Sequence, residues 1–201
     1  MKSGKWAVVS GASSGLGVDF SRQLAAQGYR LVLVARSEAP MRELADELAR
    51  KYGSDVRVFP LDLAAAGAVR ALSLGLAEQG IEPELLVNNA GFGLYGDFSE
   101  QPLERIRSML QLNIIALTEL THVLAAGMKA RGRGQILLVA SIGGYQATPG
   151  YAAYCASKAY VLLFGEALHN ELGAFGVNVT VVSPGVTATR FLQVAGQQPT
   201  R

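Results

Sequence analysis

Hydrophobic residues in this chain follow two alternating patterns, short unbroken apolar runs and longer stretches in which apolar residues return every three or four positions. Trp6-Ala7-Val8-Val9 is the first such run. It gives way to Ser10-Gly11-Ala12-Ser13-Ser14-Gly15-Leu16-Gly17, after which Phe20, Leu24 and Ala25 recur at helical spacing. The pattern reads as strand, glycine turn, helix. Further strands are predicted over Arg30 to Ala35, Val56 to Leu61, Leu85 to Val87, Gly134 to Ser141 and Val177 to Val182. Helices are predicted over Met41 to Tyr52, Ala64 to Gln79 and Tyr151 to Gly173, and from Pro102 along the stripe Leu103, Ile106, Leu110, Leu117, Leu120 and Leu124. Strands alternating with helices specify an α/β fold with one doubly wound parallel sheet covered on both faces, a three-layer α/β/α arrangement. No repeat, low-complexity tract or linker divides residues 1–201, so a single domain is expected.

Composition acts mainly by exclusion. A chain of 201 residues, half of them hydrophobic, suffices for one domain burying roughly 70% of its unfolded surface. The 18 basic and 16 acidic side chains are spread along the sequence without a basic block, so no nucleic acid partner is expected. Cys155 is the single cysteine and has no intrachain partner, and the segment Met1 to Trp6 lacks the apolar core of a signal peptide. A cytoplasmic location is therefore expected. Apolar windows such as Gln135 to Ile142 fall short of the ~20 residues of a membrane span, and the longer helical stretches carry charges, so no membrane partner is expected. His122 and His169 have no Cys or second His at ligand spacing, and no metal site is expected.

The candidate chemistry lies at strand ends. A glycine turn between a strand and a helix lets backbone N–H groups approach a pyrophosphate and aims the positive helix end at it. The second strand ends at Ala35 and Arg36, about 20 residues beyond that turn, where an acidic residue would hold a free ribose 2′-hydroxyl. A neutral Ala35 and a cationic Arg36 suit the 2′-phosphate of NADP(H) better than NAD(H), the alternative being a solvated surface arginine. Asn113 falls in an apolar stripe, so its amide either fixes local packing or organises a polar network. Ser141 closes the fifth strand, at the end where open α/β sheets bind ligands. Tyr154 and Lys158 are four residues apart and share a helix face. A neighbouring ammonium favours the phenolate and lowers the ordinary tyrosine pKa of about 10. Lys158 itself lies among apolar positions and requires a hydrogen-bonding partner. Cys155, about 100° round the helix from Tyr154, reads as a small packing residue.

Taken together, these motifs from Ala7 to about Thr189 resemble those of the classical short-chain dehydrogenase/reductase family, with Ser10 where Thr is more usual. The resemblance implies a Rossmann domain. Gly11, Ser13, Ser14, Gly15, Leu16 and Gly17 would form its cofactor turn; Asp62 and Leu63 would contact the adenine region and Asn89, Ala90 and Gly91 would line the cleft. Pro184, Gly185, Thr187 and Thr189 would lie on the nicotinamide side. Tyr154 would be the acid/base, and Lys158 would bind the nicotinamide ribose and lower the Tyr154 pKa. Ser141 would bond the substrate oxygen, and Asn113 would hold a water linking Lys158 to solvent. The implied activity is NADP-dependent transfer of hydride between nicotinamide C4 and a ketone, aldehyde or secondary alcohol. A shortened, cofactor-binding regulatory protein is the rival, and dehydration or epimerisation on the same fold is a third reading. In the resembled family long helices such as Pro102 to Arg131 and Tyr151 to Gly173 pair subunits, which implies a homodimer or homotetramer, the alternative being that these faces are covered within the monomer. Family members continue through a substrate-covering region and a final strand; here residues 190–201 would be only the start of that region, leaving Val177 to Val182 as a sheet edge.

Overall fold

A computed structural model of the chain describes residues 4–185 together with 195 and 196. The expectations for Thr187 and Thr189, and for the 190–201 segment apart from those two residues, lie outside the described residues.

Six strands form one sheet: β1 (Trp6–Ser10), β2 (Arg30–Ala35), β3 (Val56–Pro60), β4 (Pro83–Asn88), β5 (Gly134–Val139) and β6 (Val177–Val182). Every pairing is parallel and the spatial order is β3-β2-β1-β4-β5-β6. The winding reverses between β1 and β4, which opens a crevice at the carboxyl ends of those strands. Because strand side chains alternate faces, β1 sends Trp6 and Val8 into one core and Ala7 and Val9 into the other. The first core lies under α3 (Ala68–Glu78), α5 (Leu117–Ala130) and α6 (Ala152–Gly173), through Leu72, Leu120 and Val161. The second lies under α1 (Leu16–Ala26) and α2 (Glu38–Tyr52), through Ala25, Met41, Leu44 and Leu48. Burial on both faces explains why the β1 sequence is a continuous apolar run. β6 is different: Val177 and Val179 are buried while Asn178 and Thr180 are exposed, and among the described residues it closes one edge of the sheet.

Element boundaries differ from the sequence expectation where a local rule intervenes. Helix α2 begins before Met41 because Pro40 sits in its first turn, where a missing N–H goes unused. β4 takes Pro83 as its first residue, a place a strand tolerates. α3 starts at Ala68, since Asp62 Oδ1 accepts from the Ala64 N–H at 3.0 Å and holds the preceding residues in a turn. β5 ends at Val139, so Ser141 is not its last residue but the N-cap of a short 3₁₀ turn (Ile142–Gly144), accepting from the Gly143 N–H at 3.2 Å.

The largest difference is in the fourth helical region. α4 (Leu103–Leu110) runs through a π-helical segment (Gln111–Ala116) straight into α5. The resulting 28-residue helix is long and apolar enough to cross a membrane by length and composition alone, contrary to the expectation from its charges. Its apolarity has a local account: Leu117, Leu120, Leu124 and Met128 belong to the first core.

Candidate active site

The crevice floor is built around one hydroxyl. Ser10 Oγ, fully buried at the end of β1, accepts from the Asn89 and Ala90 N–H groups, both at 2.9 Å, and stands 3.2 Å from Asn88 Oδ1, to which it donates. Asn88 Nδ2 then donates to Leu117 O and Thr121 Oγ1, and Asn89 Nδ2 donates back to Ser10 O. The ends of β1 and β4 are thereby locked together at the topological switch. Gly11 follows with φ 68°, and a Cβ there would fall 2.8 Å from Asn89 Nδ2. Gly15 is the N-cap of α1, supplies no side-chain cap, and with Leu16 lines the crevice, so the positive end of that helix borders it. Gly17 stands behind the turn rather than on the cavity: a Cβ there would lie 2.2 Å from Gly11 O, so its role is the close stacking of α1 on the turn.

A cavity of about 840 Å³ begins over this floor. At one end it is lined by Ser13, Ser14, Gly15, Leu16, Arg36, Asp62 and Leu63, and along its base by Gly11, Asn89, Ala90 and Gly91. Arg36 and Asp62 are exposed, whereas Leu63 is also part of the first core. Ser141, Tyr154, Lys158, Pro184 and Gly185 line the other end. Asn113 does not line it. Its side chain is fully buried in the π-helical segment, where Oδ1 accepts from the Phe92 N–H at 3.1 Å and Nδ2 donates to Phe92 O at 3.0 Å and Ser157 Oγ at 3.1 Å.

Tyr154 and Lys158 occupy one face of α6, both buried, with Tyr154 hydrogen-bonded to Ser141. The partner that Lys158 requires is Val139 O, which accepts from Nζ at 2.8 Å. The expected lowering of the phenol pKa is not what this geometry gives. Burial pushes Tyr154 above the ordinary tyrosine value, the Ser141 bond opposes that rise, and Cys155 and Tyr151 add to it. Lys158 Nζ stands 5.9 Å from the Tyr154 ring centroid and is spent on a β5 carbonyl, while burial lowers its own pKa from 10.5 to about 8.

That shift has a sign. Lys158 is depressed in the folded chain, so between pH 8 and 10.5 the unfolded chain binds more protons, and stability gains with rising pH across that window. Relative to Lys158→Met, the wild type is expected to gain up to about 3 kcal/mol between those limits. Denaturant unfolding of both proteins at pH 7.5 and pH 10.5 checks this, and parallel pH dependences would contradict it.

Tyr151, Thr148 and Phe92 also line the cavity and were not singled out by sequence. Tyr151 had a signal, since it precedes Tyr154 by one helical turn; its ring stacks obliquely between Tyr154 and Tyr95, with centroids 5.9 and 5.1 Å away. Cys155 packs with Leu94, Ile106, Met109 and Tyr154, as a packing residue should, yet it also lines the cavity.

The sequence profile described as short chain dehydrogenase matches residues 5–200. The chain belongs to this family. A very-long-chain 3-oxoacyl-CoA reductase from Pyricularia oryzae is 38% identical to this short-chain dehydrogenase over 184 residues, 90% of the chain and 56% of the relative. One from Rattus norvegicus is 30% identical over 197 residues, 95% of the chain and 62% of the relative. The chain thus spans little more than half the length of these curated relatives. Among solved structures, a short-chain dehydrogenase from Sphingobium yanoikuyae in complex with NADPH superposes with a TM-score of 0.92 at 33% identity, covering 96% of this chain and 75% of that one. A bulky-bulky ketone specific alcohol dehydrogenase from Comamonas testosteroni gives 0.87 at 33% identity, covering 92% and 74%.

Proposed function

We propose that this short-chain dehydrogenase is an NADP(H)-dependent oxidoreductase that reduces a carbonyl group, with Tyr154 as the proton donor. The observation that carries the reading is the convergence of Ser141, Tyr154 and Lys158 at one end of a cavity whose other end is a glycine turn under an uncapped helix N-terminus. A dinucleotide fits these residues: the turn admits no side chain at Gly11, and the α1 N-terminus and Arg36 suit its phosphates. When bound, the nicotinamide supplies or takes up the hydride. The protein's own part is to hold the carbonyl and move a proton. Tyr154, kept protonated by burial, gives its proton to the carbonyl oxygen as negative charge develops there. Ser141, bonded to Tyr154, is placed to donate to the same oxygen. Lys158 puts a cation beneath that site, anchored by Val139 O.

The relatives' names support a 3-oxoacyl thioester as the first substrate class to try, and the NADPH in the Sphingobium complex supports the cofactor. The proposal extends to a cytoplasmic homodimer or homotetramer, with exposed Ile115 and Leu163 on the two long helical stretches as contact surface.

The test is fluorescence titration with NADPH and NADH, followed by a panel of aldehydes, ketones and 3-oxoacyl thioesters. NADPH is expected to bind more tightly than NADH. Arg36→Ala is expected to weaken NADPH about 10- to 100-fold and leave NADH unchanged, the size of a charge-assisted phosphate contact. Equal losses for both cofactors would remove the Arg36 argument, and binding without turnover of any panel member would point to the regulatory alternative.

A further inference from the structure

Ser157 stands beside Lys158 in the chain but does not line the cavity. Its side chain is fully buried. Oγ donates to Tyr154 O at 2.7 Å and accepts from Asn113 Nδ2 at 3.1 Å. Asn113 in turn holds both backbone groups of Phe92. One continuous line of bonds therefore runs from the loop after β4, through the π-helical segment, to the turn of α6 that carries Tyr154 and Lys158.

A serine bonding back to its own helix is common and by itself signifies little. The second bond is different in kind, because it crosses between helices and joins residues 44 apart in sequence. A hydroxyl has one proton and two lone pairs; here the proton is committed to the catalytic turn and a lone pair to another element. There is little slack around this line. A Cβ at Gly91 would stand 2.9 Å from Asn113 Oδ1 and 3.5 Å from Lys158 Nζ, so the cavity base, the amide and the ammonium are already in close contact.

We infer that Ser157 is a positioning residue: its hydroxyl ties the Tyr154 and Lys158 turn of α6 to the loop at residues 89–92 through Asn113, and so sets where the phenol stands over the cavity base. The inference rests on the reading of Tyr154 as proton donor. Proton transfer depends steeply on such placement, since a 1 Å error can cost about 10²-fold. Neither the cofactor turn nor the sheet depends on this hydroxyl.

Ser157→Ala is expected to lower kcat about tenfold while leaving the NADPH Kd within about twofold. In an Asn113→Ala background, where the line is already broken, the same change is expected to cost less than about twofold more. Ser157→Cys fills the space but bonds weakly, and its kcat is expected between the two. The second readout needs no turnover: the Tyr154 phenol, isolated by absorbance difference against Tyr154→Phe, is expected to titrate lower in Ser157→Ala as water reaches it. Among the described residues, Ser141, Lys158, Tyr151 and Cys155 face that phenol, and none of them is changed. If the wild type reduces no panel member, the functional reading fails while this titration still decides the role of Ser157. An unchanged titration, additive losses in the double variant, or a Ser157→Cys protein equal to wild type would overturn it.

Discussion

Tyr154→Phe is expected to lower kcat by about 10²- to 10⁴-fold, the usual contribution of a positioned general acid, with little change in NADPH affinity. The substitution is a narrow one. The ring stays in its cluster with Leu94, Ile106, Met109 and Cys155, so packing and stability are retained and only the hydroxyl bonded to Ser141 disappears. The pH dependence adds a second signature. An acid must hold its proton, and burial raises the value at which Tyr154 loses it, so the phenol's own alkaline limb should appear only above its ordinary range, beyond an earlier limb near pH 8 where Lys158 loses its cation. The variant's residual rate should keep the Lys158 limb and lack the higher one. Steady-state kinetics from pH 6 to 11 measure both; a variant within tenfold of wild type would remove Tyr154 from the chemistry.

Gly17→Ala is expected to cost 3 kcal/mol or more, about the upper end for forced overpacking, lowering Tm by roughly 6–12 °C and abolishing tight NADPH binding. An added Cβ would meet Gly11 O at 2.2 Å, Gly11 C at 2.8 Å and Ala12 Cα at 3.0 Å. All three are backbone atoms, so no side chain can swing aside; either α1 tilts off the turn or the turn itself deforms. Better helix propensity returns only about 1 kcal/mol. Thermal unfolding with and without NADPH separates the two losses, and an unchanged Tm together with unchanged affinity would mean that the turn is softer than its contacts require.

Much of this architecture was legible because parallel strands and amphipathic helices write different periods. The run Trp6 to Val9 and the stripe through Leu117, Leu120 and Leu124 announce their environments directly. The glycine turn, Ser141, Tyr154 and Lys158 were each weak signals alone and stood out only through their joint order and spacing; the structure places them along one cavity. What escaped was whatever depends on distance through space. Nothing in the sequence around Lys158 names Val139 O as its anchor, and burial, which sets the direction of the Tyr154 shift, is a property of the assembled cluster. The π-helical segment escaped for another reason: Leu110 and Leu117 are seven apart, a spacing that an α-helix satisfies equally well. Asn113 kept its place on the inner face, but its amide was spent on Phe92 and Ser157 rather than left open to the cavity.

The strand order also governs when the molecule becomes itself during synthesis. β1 is made first and lies at the centre, yet one of its two neighbours, β4, arrives only at residues 83–88. A nascent chain can assemble β1, β2 and β3 with α1 and α2 early, but until β4 leaves the ribosome the inner edge of β1 and the Ser10 hydroxyl have nothing to bind. The ligand crevice, formed where those two strands meet, therefore waits on β4, and the three-stranded sheet that precedes it presents an open strand edge to chaperones and to other nascent chains.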